Sequence, residues 1–334
     1  MCVTCAQWAG PGSLESQPAA TSGLSPAAAD HHLHIQSPDI SAELGRRVSR
    51  EPERFSIFDA AILSTRSGQD ALNALDTAGI REGVLLSMAY MFGSPRTTVE
   101  AEYAPALTRA ENRWNVAAAA ASRGRLKAFI SVSPFVPYAI EEVQYWAAQG
   151  GATGLKLHLG NSDFHWRSDI HVAQLAEVFS IARGLSMPVI VHVRAGGSYS
   201  AQETRRFIDE VLVHARDNIV QIAHAGGEGG LDDGTLQALA MYADARERGA
   251  IGTRRLVFDL ACVLVKDRAD PQSAALLTRL ASLVRRIGPE NFLMGSDWPS
   301  VLPPKEHNAM LEAQLPLTSQ EWGIVLTNRA GYLA

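Results

Sequence analysis

The sequence has few of the features that mark a disulfide-stabilised protein. Its three cysteines, Cys2, Cys5 and Cys262, do not form the pattern of a disulfide framework. Cys2 and Cys5 have the CxxC spacing of metal or redox motifs, but no strand or second cysteine pair accompanies them. We therefore expect neither role at this end of the chain.

Long apolar runs and concentrated positive charge are also missing. No run approaches the ~20 apolar residues that a bilayer-spanning helix needs. The net charge is −5, and the arginine pairs are scattered along the chain instead of gathering in one segment. This distribution argues against a nucleic-acid partner and against an anionic membrane surface as partner.

The first residues lack hydrophobic periodicity. Glycine, proline, serine, alanine and threonine dominate from Gly10 to Ala29, which predicts a disordered leader over residues 1–27 and one domain over residues 28–334. The leader has no basic n-region and no apolar h-region, so a cytoplasmic location is predicted. Because Ala27 to Ala29 resemble a small-residue cleavage site, a truncated or misassigned export signal is the alternative.

From Ala28 onward, short apolar runs alternate with stretches of helical spacing. The runs are rich in valine, isoleucine, leucine and phenylalanine, as strands buried on both faces are. They are 28–35, 83–89, 126–133, 154–159, 189–193, 219–223, 255–263 and 292–295. Helical spacing is found at 70–78, 103–123, 140–149, 172–184, 201–215, 236–247 and 271–287.

Eight strand–helix alternations predict an α/β protein whose parallel sheet closes into a (β/α)8 barrel, also called a TIM barrel. A doubly wound open sheet is the alternative, but no glycine-rich nucleotide fingerprint follows the first run. The segment 36–67 is longer than an ordinary connection. We expect it to carry short helices of its own over the barrel mouth.

Polar residues follow the predicted strands at the end where a barrel carries its chemistry. The first strand gives His32 and His34, which point to one face because strand side chains alternate. Two imidazoles at this spacing can approach one divalent ion. Later strand ends contribute further polar residues, namely Lys156, His158, His192, Arg194, His224 and Asp297.

These motifs resemble the amidohydrolase superfamily, and within it the amidohydrolase-related group of metal-dependent hydrolases and decarboxylases. The resemblance runs from Asp30 to the C-terminus. It rests on Asp-x-His-x-His at the first strand, Gly-Leu-Lys-Leu-His at the fourth and His-Ala-Gly-Gly at the sixth. Met-Gly-Ser-Asp-Trp-Pro at the eighth strand and the Asn-Arg-Ala stretch at 328–330 complete it.

The resemblance implies one divalent metal ion, Zn or Mn, bound by His32, His34, His192 and Asp297, with His224 beside it. Three neutral imidazoles and one carboxylate leave a position for water, as catalytic zinc sites require. The ion lowers the pKa of that water towards ~7. Asp297 is then expected to take the proton of the water, and His224 to polarise the substrate or protonate the leaving atom.

The substrate-binding residues are predicted from position. Arg194 lies two residues beyond His192 and could hold a carboxylate bidentately, or else form a salt bridge at the barrel rim. Lys156 and His158 are expected near the substrate. A carboxylated Lys156 that bridges two metals, as in other branches of the superfamily, is the alternative for Lys156. Trp298 is expected in a pocket wall or in packing.

Two carboxylates are expected to support the site. Asp30 is predicted to orient the His-x-His strand, and Asp259 to point inward or to support a strand end. The predicted activity is hydrolysis of a carboxylic ester, lactone or amide on a small molecule, possibly one that bears a carboxylate. Decarboxylation of an aromatic or dienoic acid is the alternative, and a catalytically silent metal-binding barrel is the alternative of another class. The sequence does not decide between a monomer and a homo-oligomer.

Overall fold

Eight strands form one parallel sheet whose order follows the chain from the first strand to the last. The computed structural model describes residues 24–55, 60–194 and 201–334. The strands β1 to β8 are, in order, Ala29–Leu33, Glu82–Leu86, Leu126–Ser131, Ala152–His158, Val189–His192, Val220–Ile222, Leu256–Asp259 and Phe292–Leu293. All eight lie within the predicted runs to within two residues at their starts, so the strand prediction is confirmed.

The sheet closes because the first strand bonds to the segment that follows the last. The His31 amide donates to Met294 O at 2.9 Å, the Asp297 amide to His32 O at 2.8 Å, and the His34 amide to Trp298 O at 2.7 Å. Gly295 lies between these bonds, and a Cβ there would come within 3.0 Å of His32 Cβ. A side chain at this position would push the two edges of the barrel apart, which explains the glycine. The predicted TIM barrel is confirmed.

Helices follow the strands and pack outside them. The helices α1 to α11 within the described ranges are Pro38–Arg50, Pro52–Phe55, Gly68–Ala78, Ala104–Ala121, Ala139–Gln149, Asp169–Gly184, Ala201–Arg206, Asp233–Glu247, Pro271–Ile287, Pro304–Gln314 and Ser319–Thr327. Side-chain caps fix several of their starts, for example the Ser67–Asp70 capping box of α3 and Asp232 at the start of α8.

The stretch 201–215, predicted to be helical, is helical over 201–214, but it is not α-helical throughout. The α-helical turns end at Arg206 and continue as a π-helical segment, Phe207–Val211, and a 3-10 turn, Leu212–His214. The buried residues Phe207, Ile208, Val211 and Leu212 repeat every four positions. An α-helix also places residues four apart on one face, so this spacing gives no sign of the change to a π-helical segment.

The long connection after β1 carries α1, as predicted, and α1 fixes the loop that follows β2. Buried Glu43 accepts from Arg47 Nε at 2.7 Å and from the Thr98 amide at 2.9 Å. Ile40 and Leu44 of α1 pack with Tyr90 in one apolar cluster. The result is that Tyr90 is held 5.0 Å, ring centre to ring centre, from His158 at the end of β4.

The predicted leader falls mainly on residues 1–23, together with Cys2 and Cys5, and these lie outside the described residues. Within the described ranges, no helix has both the length and the apolar character that crossing a membrane requires.

Candidate metal centre

His32 and His34 leave β1 with their ring orientations fixed by acceptors behind them. His32 Nδ1 lies 3.1 Å from Asp259 Oδ2, and His34 Nδ1 lies 2.7 Å from the Leu86 carbonyl oxygen. A carboxylate and a carbonyl can only accept, so each Nδ1 carries the proton and donates it. The Nε2 lone pairs of both rings therefore point away from these acceptors and into the barrel mouth.

His224 and Asp297 reach the same space from the turns after β6 and β8. His224 Nδ1 donates to the Ala261 carbonyl at 2.9 Å, which leaves its Nε2 lone pair for the site. Both residues have left-handed backbone angles, with φ of 53° at His224 and 59° at Asp297. Residues other than glycine rarely adopt these backbone angles, and those that do are concentrated at functional sites.

One donor atom from each of His32, His224 and Asp297 lies within 4.8 Å of the others. Asp297 Oδ1 is also 3.1 Å from His34 Nε2 and 3.6 Å from His32 Nε2. With both Nδ1 atoms protonated, neutral imidazoles turn lone pairs toward a carboxylate oxygen. The lone pairs and the carboxylate oxygen repel one another, and a positive charge among them removes this repulsion. A divalent metal ion would supply that charge, and imidazole nitrogen and carboxylate oxygen are ligand atoms that such ions prefer.

Burial decides which positive charge suits the site. It lowers the pKa of His32 to about 3 and also lowers the pKa of His34, so these imidazoles resist protonation at neutral pH. Burial opposes ionisation of Asp297, but positive charge at the neighbouring histidines, through the contact with His34 first, holds the pKa of this carboxyl well below its ordinary value. Because the buried imidazoles resist carrying that charge, a metal ion suits the site better than a protonated histidine as the partner of an ionised Asp297.

Cys262 contacts the other carboxylate oxygen of Asp297. Its Sγ lies 3.4 Å from Asp297 Oδ2, and its backbone amide donates to His307 Nε2 at 3.0 Å. Oδ1 of Asp297 faces the histidines while Oδ2 meets this thiol. No local sequence pattern around Cys262 indicates this contact with Asp297.

Two further carboxylates, Asp259 and Asp30, accept hydrogen bonds from the residues that carry the site. Asp259 accepts from His32 Nδ1, from the His224 amide at 2.8 Å and from Gln221 Nε2 at 2.7 Å. Asp30 Oδ1 accepts from the amides of His32 at 3.0 Å and Ser296 at 3.2 Å, which links β1 to the turn that carries Asp297. Both positions suit the supporting roles that the sequence predicts.

His192, at the end of β5, lies beside this group. Its ring centre is 5.1 Å from that of His224 and 4.1 Å from that of His158, on which it stacks. His192 Nε2 is buried and has no hydrogen-bond partner among the residues that the structure describes. Burial lowers the pKa of His192 well below its ordinary value, so the imidazole resists protonation and its Nε2 is a buried atom with an unmet need for a partner.

His158, by contrast, has both ring nitrogens in hydrogen-bond contact with Asn161. The Asn161 amide donates to His158 Nδ1 at 3.3 Å, and the Asn161 side chain lies 2.9 Å from His158 Nε2. Both ring nitrogens are engaged, so His158 offers no spare donor to an ion. Lys156, two residues earlier on β4, is 1% exposed, and its positive charge lowers the pKa of both His32 and His192 after burial.

Arg194 and Trp298 occupy the rim. Arg194 Nη1 donates to Asp232 Oδ2 at 2.7 Å, while its Nε is 3.9 Å from Glu228 Oε2. Asp232 also caps α8 through the Thr235 amide at 2.7 Å. The rim salt bridge considered in the sequence is therefore present. Trp298 is partly buried against the main core, and its carbonyl oxygen accepts a hydrogen bond from the His34 amide.

The fold and the donor set together define a (β/α)8 protein with histidines and an aspartate converging at the carboxyl ends of its strands. A family model described as "Amidohydrolase" matches residues 29–323, and the chain belongs to this family. The predicted membership is confirmed. A search of the curated proteins gave no match.

Solved structures with the same fold include two of different activity. One is 5-carboxyvanillate decarboxylase LigW from Sphingomonas paucimobilis, 15% identical, covering 92% of this chain and 98% of that one, with a TM-score of 0.63. The other is a putative 2-pyrone-4,6-dicarboxylic acid hydrolase from Pseudomonas putida, 18% identical, covering 93% and 98%, with a TM-score of 0.58.

Similar structures also contain metal ions. An amidohydrolase from Burkholderia multivorans holds zinc; it is 14% identical, with 90% and 96% coverage and a TM-score of 0.56. A 5-carboxyvanillate decarboxylase from Novosphingobium aromaticivorans holds manganese and 3-methoxy-4-hydroxy-5-nitrobenzoic acid; it is 11% identical, with 93% and 97% coverage and a TM-score of 0.58.

Proposed function

We propose that this chain is a metal-dependent enzyme that hydrolyses a carboxylic ester, lactone or amide bond in a small, carboxylate-bearing molecule. One observation carries the proposal: the Nε2 atoms of His32, His34 and His224 all point, as lone pairs, into the space around Asp297. Buried lone pairs in this arrangement repel one another unless a cation lies among them.

His32, His34, His192 and Asp297 would hold the ion, with His224 next to it. The buried, unpartnered Nε2 of His192 supports its inclusion. A divalent ion bound there supplies Lewis acidity and lowers the pKa of a water towards ~7. Zinc and manganese are the first ions to test, because similar structures contain them.

The protein residues would then move and hold protons. Asp297 is ionised and accepts a proton at Oδ1, while the Cys262 thiol at Oδ2 limits rotation of the carboxylate. His224 keeps its Nδ1 proton on the Ala261 carbonyl, so Nε2 is the atom that exchanges a proton with the substrate or its leaving group. Asp259 keeps His32 in the tautomer that the site requires.

Arg194 is the reason to expect a carboxylate on the substrate. Its Nη1 is taken by Asp232, but its Nε is buried without a hydrogen-bond partner among the described residues. An unsatisfied buried donor on a charged group costs about 1–3 kcal/mol or more. A substrate carboxylate that takes the place of Glu228, whose Oε2 lies 3.9 Å from Nε, would satisfy this edge of the guanidinium, with Asp232 as the residue that orients the side chain.

Decarboxylation of an aromatic or dienoic acid is the second candidate. Its support is the presence of 5-carboxyvanillate decarboxylases among the similar structures. The same residues could serve it, since a substrate carboxylate would lie at Arg194 or the ion and a proton would go to the carbon from Asp297 or His224. The two activities differ in the product: hydrolysis adds a solvent oxygen atom to the product carboxylate, whereas decarboxylation adds a solvent hydrogen to carbon.

An isotope experiment distinguishes them. The protein, reconstituted with Zn²⁺ or Mn²⁺, is incubated with a panel of lactones, esters and aromatic acids in H₂¹⁸O and, separately, in D₂O. Hydrolysis places one ¹⁸O atom in the product carboxylate. Decarboxylation instead releases carbon dioxide and places deuterium on carbon. Metal binding without either product across the panel would favour the silent barrel.

A second experiment separates metal ligands from proton-transfer residues. His192→Ala should lose metal content as well as turnover, whereas His224→Ala should retain most of the metal and lose turnover. The reverse result would assign His224, whose donor atom is within 4.8 Å of those of His32 and Asp297, to the ion in place of His192.

A further inference from the structure

A buried chain of hydrogen bonds runs from the C-terminal end of the protein to His32. Tyr332 lies in the last turn, Gly331–Leu333, and its hydroxyl bonds to Gln221 Oε1. Gln221 Nε2 donates to Asp259 Oδ2 at 2.7 Å, and Asp259 Oδ2 accepts from His32 Nδ1 at 3.1 Å. All of these side chains are buried.

The direction of each bond follows from the atoms that meet. Gln221 Nε2 faces Asp259 Oδ2 and the His31 carbonyl at 3.2 Å, and both of these groups can only accept. The amide nitrogen must therefore lie on this side, and Oε1 must lie on the side of Tyr332. The Tyr332 hydroxyl is thus the donor. Burial, followed by the charge of Asp259, raises the pKa of Tyr332 well above its ordinary value, so the donor proton stays in place.

The ring of Tyr332 is held tightly inside the barrel. It packs with Ala29, Val84 and Ile190 in one buried cluster, and its centre is 5.0 Å from that of Phe129. The backbone around it is fixed as well, because the Ala330 amide donates to His31 Nε2 at 3.2 Å. The hydroxyl therefore meets the Gln221 amide from a rigid position.

We propose that Tyr332 is a positioning residue for the metal centre. Its hydroxyl anchors Gln221 Oε1 and so fixes the position from which the amide NH₂ donates to Asp259, and Asp259 in turn orients His32. This inference rests on the proposed function in one respect, namely that His32 is a metal ligand.

Removal of the hydroxyl alone has a definite consequence. Tyr332→Phe keeps the packed ring but leaves Gln221 Oε1 buried without its donor. The Gln221 NH₂ still faces Asp259 and the His31 carbonyl, so the amide keeps its orientation, but any shift of the unsatisfied Oε1 toward another donor weakens the bond from Nε2 to Asp259. Partners of metal-binding histidines affect metal affinity by about 10- to 100-fold when they are lost. Tyr332 acts one step further out, so we expect about a tenfold loss of metal affinity, at the lower end of that range.

Zn²⁺ affinity, measured by competition with a chromogenic chelator on metal-free full-length protein, tests this. The variants are Tyr332→Phe, Gln221→Leu, their double mutant and Tyr138→Phe. Tyr138 is a matched control because its hydroxyl also makes one hydrogen bond, to Thr108 at 3.2 Å, away from the metal centre. The visible spectrum of the Co²⁺ form and the melting temperature of each metal-free variant are recorded alongside.

Tyr332→Phe and Gln221→Leu should both weaken Zn²⁺ binding and change the Co²⁺ spectrum, while Tyr138→Phe should do neither. Since Tyr332 acts through Gln221, the double mutant should bind Zn²⁺ no more weakly than Gln221→Leu alone. Tyr332→Phe with wild-type affinity and spectrum would overturn the proposal, even with a lower melting temperature. Additive losses in the double mutant would also overturn it. Failure of the wild-type protein to bind Zn²⁺, Mn²⁺ or Co²⁺ would overturn the proposed function together with this inference.

Discussion

Glu111 of α4 gives the protein a pH-dependent stability that can be measured apart from any activity. The side chain is 1% exposed, and burial raises the pKa of its carboxyl from the ordinary 4.5 to about 8. Hydrogen bonds from Ser37 and Asn115 oppose this rise without outweighing burial. At neutral pH the folded protein therefore keeps a proton on Glu111 that the unfolded chain has released.

The sign follows from this difference in bound protons. Between pH 4.5 and about 8 the unfolded state binds fewer protons at this site, so the free energy of unfolding falls as pH rises. The contribution is fully present below pH 4.5 and is lost as pH passes about 8. One pKa unit corresponds to about 1.4 kcal/mol, so the whole interval is worth about 5 kcal/mol as an upper limit.

Glu111→Gln removes the proton dependence and keeps the shape of the side chain. Urea unfolding, followed by circular dichroism, should give similar free energies of unfolding for the variant and the wild type near pH 4.5. Near pH 8 the variant should be more stable by a few kcal/mol. The exposed Glu102→Gln serves as control and should follow the wild type throughout. A difference between Glu111→Gln and wild type that does not vary with pH would refute the reasoning.

Three further predictions concern the candidate site. Asp297→Asn should keep the fold but lower turnover by roughly 10²–10⁴-fold, measured with the isotope-resolved assay; a near-native rate with metal bound would move proton transfer to His224. Arg194→Met should lower kcat/KM for an acidic substrate by about 10- to 150-fold and for a neutral ester far less. Equal losses on both substrates would restrict Arg194 to its ion pair with Asp232. Elemental analysis after purification without chelator should give about one equivalent of Zn or Mn per chain; two that fall to one in Lys156→Ala would indicate a bridged pair.

The barrel could be predicted because its evidence is local and repeated. Each strand is a short apolar run and each helix has its own spacing and breakers, so one misjudged boundary leaves the count of eight intact. The helices α10 and α11 were not predicted, because they follow the last strand and stand outside the repeat. The capping box formed by Thr318 and Glu321 at the start of α11 is a signal in the sequence that could have indicated it.

The polar residues at the strand ends could be predicted for the same reason, and so could Asp30 and Asp259 as supports, but the contacts that the supporting residues make could not. Asp259 serves His32 across 227 residues of chain, and Cys262 meets Asp297 across 35. No local pattern encodes such pairs. Gln221 left a partial signal, since it is a lone amide in the middle of the buried strand β6, where an unpaired polar group would be costly.

Arg194 shows where positional reasoning ends. Its place two residues after His192 suits either a substrate carboxylate or a rim salt bridge, and the sequence treats these as alternatives. The two are compatible where a substrate carboxylate takes the place of Glu228 beside Nε, because a guanidinium has five donors and Asp232 occupies only the Nη1 side. Asp232 is itself fixed by its cap on α8, so the ion pair aims the remaining Nε edge of Arg194 instead of consuming it. A salt bridge at the rim and a carboxylate site are then two edges of one side chain.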